Sequence, residues 1–220
     1  NRMRSSVLQF LWILATSLSL LSCGTSESNV VQGNRDGILH FGNGPEPQGL
    51  DPHVVTGIPE MNIVNALFEG LTVKNPYTLE PEPGVAQRWD ISADGLVITF
   101  HLNPGAKWSN GDAMTAADFV WSWQRALNPA MGNQYAYMLY PLENAEAFAT
   151  GKLADFNAVV VKALDNHTLQ VQLNTPTPYF IQLMDHHSTY PVHRPTIEKF
   201  GKATDRFTPW TRVENIVGNG

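Results

Sequence analysis

The strongest constraint on the fold is the strand pattern between Trp89 and Leu102. In the second half of this segment, Leu96, Ile98, Phe100 and Leu102 alternate with Val97, Thr99 and His101. A period of two residues predicts a strand with one buried face. The turn residues Ala93-Asp94-Gly95 join this strand to the preceding run, residues 89–92. The segment therefore predicts an antiparallel hairpin that packs one face on a core.

Other local patterns add helices and a second hairpin. Residues 159–163 and 168–173 predict strands joined at Asp165-Asn166. A helix is predicted from Pro59, and another after Thr115, where Asp118 completes an acidic capping box. Weaker patterns predict a strand over 38–41, an irregular loop or hairpin over 72–83, and short helices over 143–150, 178–184 and 195–200. This mixture indicates an α+β fold rather than a regular βαβ array.

The N-terminus has the pattern of a lipoprotein signal peptide. Arg2 and Arg4 precede an apolar run over residues 7–21, which is shorter than the ~20 residues that span a bilayer. Leu20-Leu21-Ser22 then leads into Cys23. The pattern predicts cleavage after residue 22 and lipidation of Cys23. The protein would then lie in the periplasm or cell envelope, held to a membrane by its lipid anchor.

The residues after the predicted cleavage site fall into a tether and a globular part. Residues 23–37 contain few apolar side chains, which predicts a flexible leash. The only cysteine is Cys23, so an internal disulfide in the mature chain is excluded. A net charge of -6 with 15% charged residues argues against a nucleic-acid partner.

Residues that could carry chemistry form no recognisable catalytic set. His186, His187 and His193 lie close in sequence, but their spacing is not that of a metal motif. Glu80 and Glu82 flank prolines in a segment expected to be solvated, so nothing separates their pKa values. No Gly-x-Ser-x-Gly elbow occurs. We therefore expect a protein that is not an enzyme and has no metal or other cofactor.

The longest specific pattern covers residues 85–102 and continues through 106–112 and 115–120. It resembles the family 5 extracellular solute-binding proteins. Further matches occur at Leu50-Asp51-Pro52-His53, Gly57-Ile58-Pro59-Glu60, Leu67-Phe68-Glu69-Gly70-Leu71 and Tyr179-Phe180. Within that family these residues are most similar to the oligopeptide-binding proteins of ABC importers.

The resemblance implies a two-lobed fold of the type II periplasmic binding proteins, with a smaller mixed α/β domain inserted in the first lobe. Such proteins are about twice as long as this chain. The sequence is thus expected to be an N-terminal part with an incomplete first lobe. We assign residues 38–68 and 192–220 to that lobe and residues 69–191 to the inserted domain.

The resemblance also implies a site and partners. A peptide would lie extended between the lobes, with its backbone bonded to Gly57 and Ile58, beside Tyr135 and, less securely, His186. A carboxylate that pairs with the peptide's ammonium in some members corresponds to Thr56 here, which cannot neutralise a charge. The expected partners are short peptides and the permease subunits of an ABC importer, and the protein is expected to be a monomer. Open alternatives are a dipeptide, nickel or haem as ligand, or a structural lipoprotein of the envelope.

Overall fold

The computed structural model describes residues 27–220. The predicted signal peptide, residues 1–22, and the predicted lipidation site Cys23 lie outside the described residues. The chain divides into two compact units, one ending at Gly42 and one that runs from Asn43 to Gly220.

Helix α1 (Asn29–Asp36) lies in the first unit. The Ser28 hydroxyl accepts a hydrogen bond from the Val31 N–H at 3.3 Å. Gly37 ends the helix with φ 68°, a left-handed conformation that glycine adopts at low cost. The sequence analysis did not predict this helix, which a serine cap and a terminal glycine define despite the low apolar content. The role of residues 23–37 as a leash stays a prediction.

Residues 38–41, predicted as a strand, have no regular secondary structure. The side chains of Ile38, Leu39 and Phe41 are exposed. An extended segment becomes a strand only when a neighbouring strand satisfies its backbone groups. Within residues 27–220 no strand pairs with this segment, so the strand prediction was wrong.

Helix α2 (Ile58–Leu67) opens the regular structure of the second unit. It follows Gly57 and carries Pro59 in its first turn, where a missing N–H costs nothing. The predicted helix is confirmed, although it ends at Leu67 and buries only Glu60 and Val64. The predicted irregular hairpin follows, formed by β1 (Thr72–Lys74) and β2 (Pro81–Pro83).

The centre of the second unit is a four-stranded antiparallel sheet. Its strands are β3 (Ala86–Ile91), β4 (Val97–Leu102), β5 (Val161–Asp165) and β6 (Thr168–Gln172), in the spatial order β3-β4-β6-β5. On the two inner strands, Phe100 lies opposite Leu169 and Ile98 lies opposite Val171. All four side chains are buried. Both predicted hairpins are confirmed, and β4 buries the predicted face.

Helix α3 (Ala116–Leu127) packs against β5 and β6. The Asp118 carboxylate accepts a hydrogen bond from the Thr115 N–H at 2.7 Å, which completes the predicted capping box. Phe119 and Trp123 are fully buried on one face of the helix. The Trp123 indole N–H donates to the Thr189 carbonyl at 2.8 Å, so its polar atom is satisfied inside the core.

Three shorter helices confirm the remaining helix predictions. They are α4 (Ala145–Ala149), α5 (Phe180–Leu183) and α6 (Arg194–Phe200). Single 3₁₀ turns connect the elements and include Ala136–Leu139 and His187–Thr189, which lie beside the site described below.

One hydrophobic cluster joins the elements of the second unit. It includes Val55 and Val64 from the first part, Phe119 from α3, and Ile197 and Trp210 from the last part. The cluster therefore extends across the predicted domain boundaries at residues 69 and 191, and those boundaries stay a prediction. Of the helices that the structure describes, none has the length and apolar content needed to cross a membrane.

Candidate ligand-binding site

The predicted site residues lie on the loop that enters helix α2. The Asp51 carbonyl accepts hydrogen bonds from the N–H groups of Val54 and Val55, which fixes the start of this loop. The Val55 carbonyl in turn accepts a hydrogen bond from His187 Nε2 at 3.2 Å. Gly57 is extended, with φ −90° and ψ 154°. The loop is therefore held rigidly at its base before it reaches residues 56–58.

Three consecutive backbone donors on this loop are free. The N–H groups of Thr56, Gly57 and Ile58 have no hydrogen-bond acceptor within the described part of the chain. Thr56 is exposed, and the Ile58 side chain is 70% exposed. Free N–H groups in extended chain can pair with the carbonyl groups of another extended chain, but successive N–H groups point to opposite sides, so one added strand can use only alternate groups of the three. The loop therefore offers a short edge for an added strand.

Tyr135, His186 and His187 form an aromatic wall behind this edge. The Tyr135 ring lies 4.9 Å from the His186 ring and 5.4 Å from the His187 ring, centroid to centroid, both edge-on. The two imidazoles lie 4.3 Å apart. The Tyr135 hydroxyl is 3.5 Å from the Thr56 carbonyl oxygen, at the limit of a hydrogen bond. The wall thus connects the turn before Ala136 to the loop.

The two imidazoles of the wall are neutral at pH 7. Burial, together with the neighbouring His187 and Lys74, lowers the pKa of His186 to about 4. Burial also lowers the pKa of His187, although the hydrogen bond to the Val55 carbonyl opposes this change. That carbonyl can only accept, so His187 Nε2 carries the proton. Since the wall carries no charge, it favours contact with backbone and apolar groups of a ligand.

Two cavities lie along the loop and the wall. The first has a volume of about 370 Å³ and is lined by Thr56, Gly57, Glu60, Gln134 and Arg206, among others. The second has a volume of about 320 Å³ and is lined by Met61, Asn65, Lys74, Asp185, His186 and His187, among others. Each is large enough for a side chain together with water.

A buried ionic network anchors the loop to helix α3. The Arg125 guanidinium donates to both carboxylate oxygens of Asp51, at 2.6 and 3.0 Å. It also donates to His53 Nδ1 at 2.9 Å and to the Ala203 carbonyl at 2.6 Å. Since Nδ1 accepts, His53 Nε2 carries the proton and donates to the Tyr190 carbonyl at 3.0 Å.

Protonation in this network is fixed by the same contacts. Burial raises the pKa of Asp51, but the charge and hydrogen bonds of Arg125 outweigh it, so this pKa lies below its usual value. Burial and the adjacent Arg125 charge lower the pKa of His53 to about 4. At pH 7 the network therefore holds one carboxylate, one guanidinium and one neutral imidazole.

The structure brings four of the predicted site residues together. Thr56 and Gly57 line the first cavity, Tyr135 contacts Thr56, and His186 contacts Tyr135. Ile58 adjoins them with its side chain directed to solvent. Their roles in ligand binding stay a prediction.

Sequence reasoning missed the contributions of His187, Glu60 and Arg125. In the sequence, His187 stands out only as a neighbour of His186 and His193. His193 instead bonds Asp112 and Thr196. Among the described residues, no three His, Cys, Asp or Glu side chains are grouped as metal ligands would be. The one local signal was the Gly57-x-x-Glu60 spacing, which places an acid in the first turn of a helix.

Comparisons with known proteins agree with this geometry. Residues 80–220 match the family described as "Bacterial extracellular solute-binding proteins, family 5 Middle". The periplasmic oligopeptide-binding protein OppA of Escherichia coli is 47% identical over 180 residues, which cover 81% of this chain and 32% of that protein. A dipeptide-binding protein of Bacillus subtilis, DppE, is 33% identical over 214 residues, covering 94% of this chain and 38% of that protein.

A solved structure agrees as well. The Haemophilus influenzae OppA in complex with the peptide RPPGFSPFR superposes with a TM-score of 0.74 at 39% identity, covering 81% of this chain and 34% of that one. The chain thus spans about a third of the length of the relatives that it matches.

Proposed function

The chain belongs to the bacterial extracellular solute-binding proteins of family 5, and we propose that the full-length protein captures short peptides and delivers them to an ABC importer. Its fold is that of part of the first lobe of a type II periplasmic binding protein, as predicted. Relatives whose names state oligopeptide or dipeptide binding support the choice of ligand.

The observation that carries this proposal is the run of N–H groups at residues 56–58 that find no acceptor within residues 27–220 and border a cavity of about 370 Å³. Every peptide has the same main chain, so hydrogen bonds from these N–H groups to peptide carbonyl groups contribute affinity that does not depend on the peptide's sequence. The neutral wall of Tyr135, His186 and His187 adds contact area without favouring a charge. The two cavities can hold different side chains of a bound peptide, because water can fill the space that a smaller side chain leaves.

The proposal includes a second lobe that closes over the peptide, because the matched residues cover only 32% of the relative's length. Residues 38–68 and 192–220 would form part of the first lobe, and residues 69–191 would form the inserted domain. A ligand that contacts both lobes stabilises the closed form, so either lobe alone would bind weakly.

The cellular setting belongs to the proposal too. Relatives named as periplasmic binding proteins support a location outside the inner membrane. Cleavage after Ser22 and acylation of Cys23 would anchor this protein as a monomer to a membrane. The protein would act as a carrier rather than as an enzyme, as its family does.

Isothermal titration of the full-length protein tests the proposal. The ligands are peptides of two to five residues with varied sequence, and Ni²⁺ and haem serve as controls. We expect peptides of different sequence to bind with similar affinity and the controls to give no heat. If one of the controls binds and the peptides do not, the peptide assignment is wrong while the family assignment stands.

A further inference from the structure

Two buried histidines join the loop that enters α2 to the turn His187–Thr189. On the turn, His187 Nε2 donates to the Val55 carbonyl of the loop at 3.2 Å. On the loop, His53 Nε2 donates to the Tyr190 carbonyl, directly after the turn, at 3.0 Å. The two side chains are 3% and 0% exposed, respectively. Hydrogen bonds shielded from water are electrostatically stronger than exposed ones, so this pair fixes the loop on the turn.

The bond to the Val55 carbonyl also sets the direction of a free donor. The Val55 carbonyl and the Thr56 N–H belong to one peptide group, which is planar and trans, so the two bonds point in opposite directions. The carbonyl faces the buried His187 ring. The Thr56 N–H therefore faces away from that ring, and it has no acceptor within residues 27–220. Since Thr56 is exposed and lines the first cavity, this donor is available to a ligand.

The other two free donors are oriented by other contacts. The Gly57 carbonyl, in the same peptide group as the Ile58 N–H, accepts from the Met61 N–H of α2 at 3.0 Å. The Thr56 carbonyl, in the same peptide group as the Gly57 N–H, has only the 3.5 Å contact with the Tyr135 hydroxyl. The Thr56 N–H is therefore the donor whose direction depends on a firm hydrogen bond from a side chain.

The bond to Val55 accounts for a histidine at this buried position. His187 Nδ1 has no hydrogen-bond partner among the described residues. Leaving a buried acceptor unpaired costs free energy. The Tyr135 ring packs edge-on against the imidazole at 5.4 Å and holds its orientation. Within the described chain, the donation from Nε2 to the Val55 carbonyl is thus the one hydrogen bond of this side chain.

The geometry points to His187 as a positioning residue, which aims the Thr56 N–H at a carbonyl group of the bound peptide. The inference rests on the proposed function. A bond to the carbonyl also polarises its peptide group, which makes the N–H a stronger donor. Because the donor meets the main chain of the peptide, its contribution should be the same for every peptide sequence. A direct contact between His187 and a peptide side chain would instead depend on that side chain.

The test compares two variants of His187 in the full-length protein. His187→Gln keeps a donor, since the glutamine amide nitrogen can reach the place of Nε2. His187→Leu removes the donor and keeps an apolar side chain in the core. Calorimetric titrations use the tripeptides Ala-Ala-Ala, Ala-Phe-Ala and Ala-Glu-Ala, which share a main chain and differ in one side chain.

We expect His187→Leu to weaken binding of all three peptides by the same factor, about 3- to 10-fold, the usual effect of one hydrogen bond. His187→Gln should bind within about twofold of wild type. His193→Leu is the matched control, because His193 is also buried but bonds Asp112 and Thr196 rather than the loop. Urea unfolding identifies conditions in which every variant is folded, so lost stability alone leaves the affinities unchanged.

A second measurement needs no variant of His187 to fold. In full-length wild type labelled with ¹⁵N-threonine, the Thr56 amide proton should shift downfield on peptide binding, and Thr56→Ser assigns its resonance. His187→Gln should keep this shift, and His187→Leu should reduce it. A purely structural role of His187 would leave the shift of Thr56 the same in every folded variant.

Several outcomes would overturn the inference and leave the proposed function intact. They are equal affinities of wild type and His187→Leu, losses that differ among the three peptides, and a Thr56 amide that does not respond to bound peptide. A loss in His193→Leu as large as that in His187→Leu would overturn it too, because it would indicate a general effect of removing a buried histidine. If wild type binds no peptide, the proposed function fails and the role of His187 falls with it.

Discussion

Replacing Arg125 with methionine should destabilise the protein by about 3–5 kcal/mol, the usual cost of removing one partner of a buried ion pair. Arg125 is 2% exposed and Asp51 is 5% exposed. The change removes two hydrogen bonds to the Asp51 carboxylate and one each to His53 and Ala203. Asp51 would keep only the bond from the His53 N–H, at 3.0 Å. An unpaired carboxylate would then remain in the core.

Urea unfolding at pH 7, followed by tryptophan fluorescence, measures this cost. Trp123 and Trp210 lie in the core cluster and should report the transition. Arg88→Met is the control, because Arg88 pairs with Asp90 at 2.9 Å on the surface, where water and salt weaken an ion pair. Adding Asp51→Asn to Arg125→Met removes the stranded charge, so the double variant should be more stable than Arg125→Met alone. A loss below about 1 kcal/mol for Arg125→Met would refute this reasoning.

Three further predictions follow from the same contacts and from the N-terminal sequence. Because burial lowers the pKa of His53 to about 4, the folded protein binds fewer protons than the unfolded chain below pH 6.5, and the free energy of unfolding should fall as the pH drops from 6.5 towards 4. In urea unfolding at pH 7 and pH 5, His53→Asn should reduce this dependence of stability on pH. An unchanged dependence would contradict the role of His53. Residues 69–191 produced alone should unfold cooperatively on heating, and a gradual melt would argue against an independent domain. In that fragment Arg125→Met should lower the free energy of unfolding by less than about 1 kcal/mol, because its partners Asp51 and Ala203 are absent. Mass spectrometry should find an acylated Cys23 at the mature N-terminus, and a Cys23→Ser protein that still fractionates with membranes would speak against the anchor.

Local patterns predicted most of the second unit. The alternation from Leu96 to Leu102 identified β4, and Thr115 with Asp118 identified the start of α3. These signals act over a few residues, so one sequence contains them in full. Helix α1 was not predicted, because its apolar content is low and only the capping residues Ser28 and Gly37 mark its ends.

Long-range pairings could not be read from the sequence. Arg125 and Asp51 are 74 residues apart, and His187 and Val55 are 132 residues apart. Nothing near Arg125 distinguishes it from a surface arginine of an amphipathic helix. The site residues themselves are implied by the family resemblance, whereas the neutral histidine wall required coordinates.

A crystal structure of the full-length protein with tri-alanine tests the central claim most directly. The claim is that residues 56–58 form the edge to which a peptide adds as a strand. We predict that a peptide carbonyl oxygen lies within 2.7–3.2 Å of at least one of the N–H groups at these positions, with Tyr135 against the peptide backbone. A peptide bound elsewhere, or one that leaves these three N–H groups unpaired, would contradict the account.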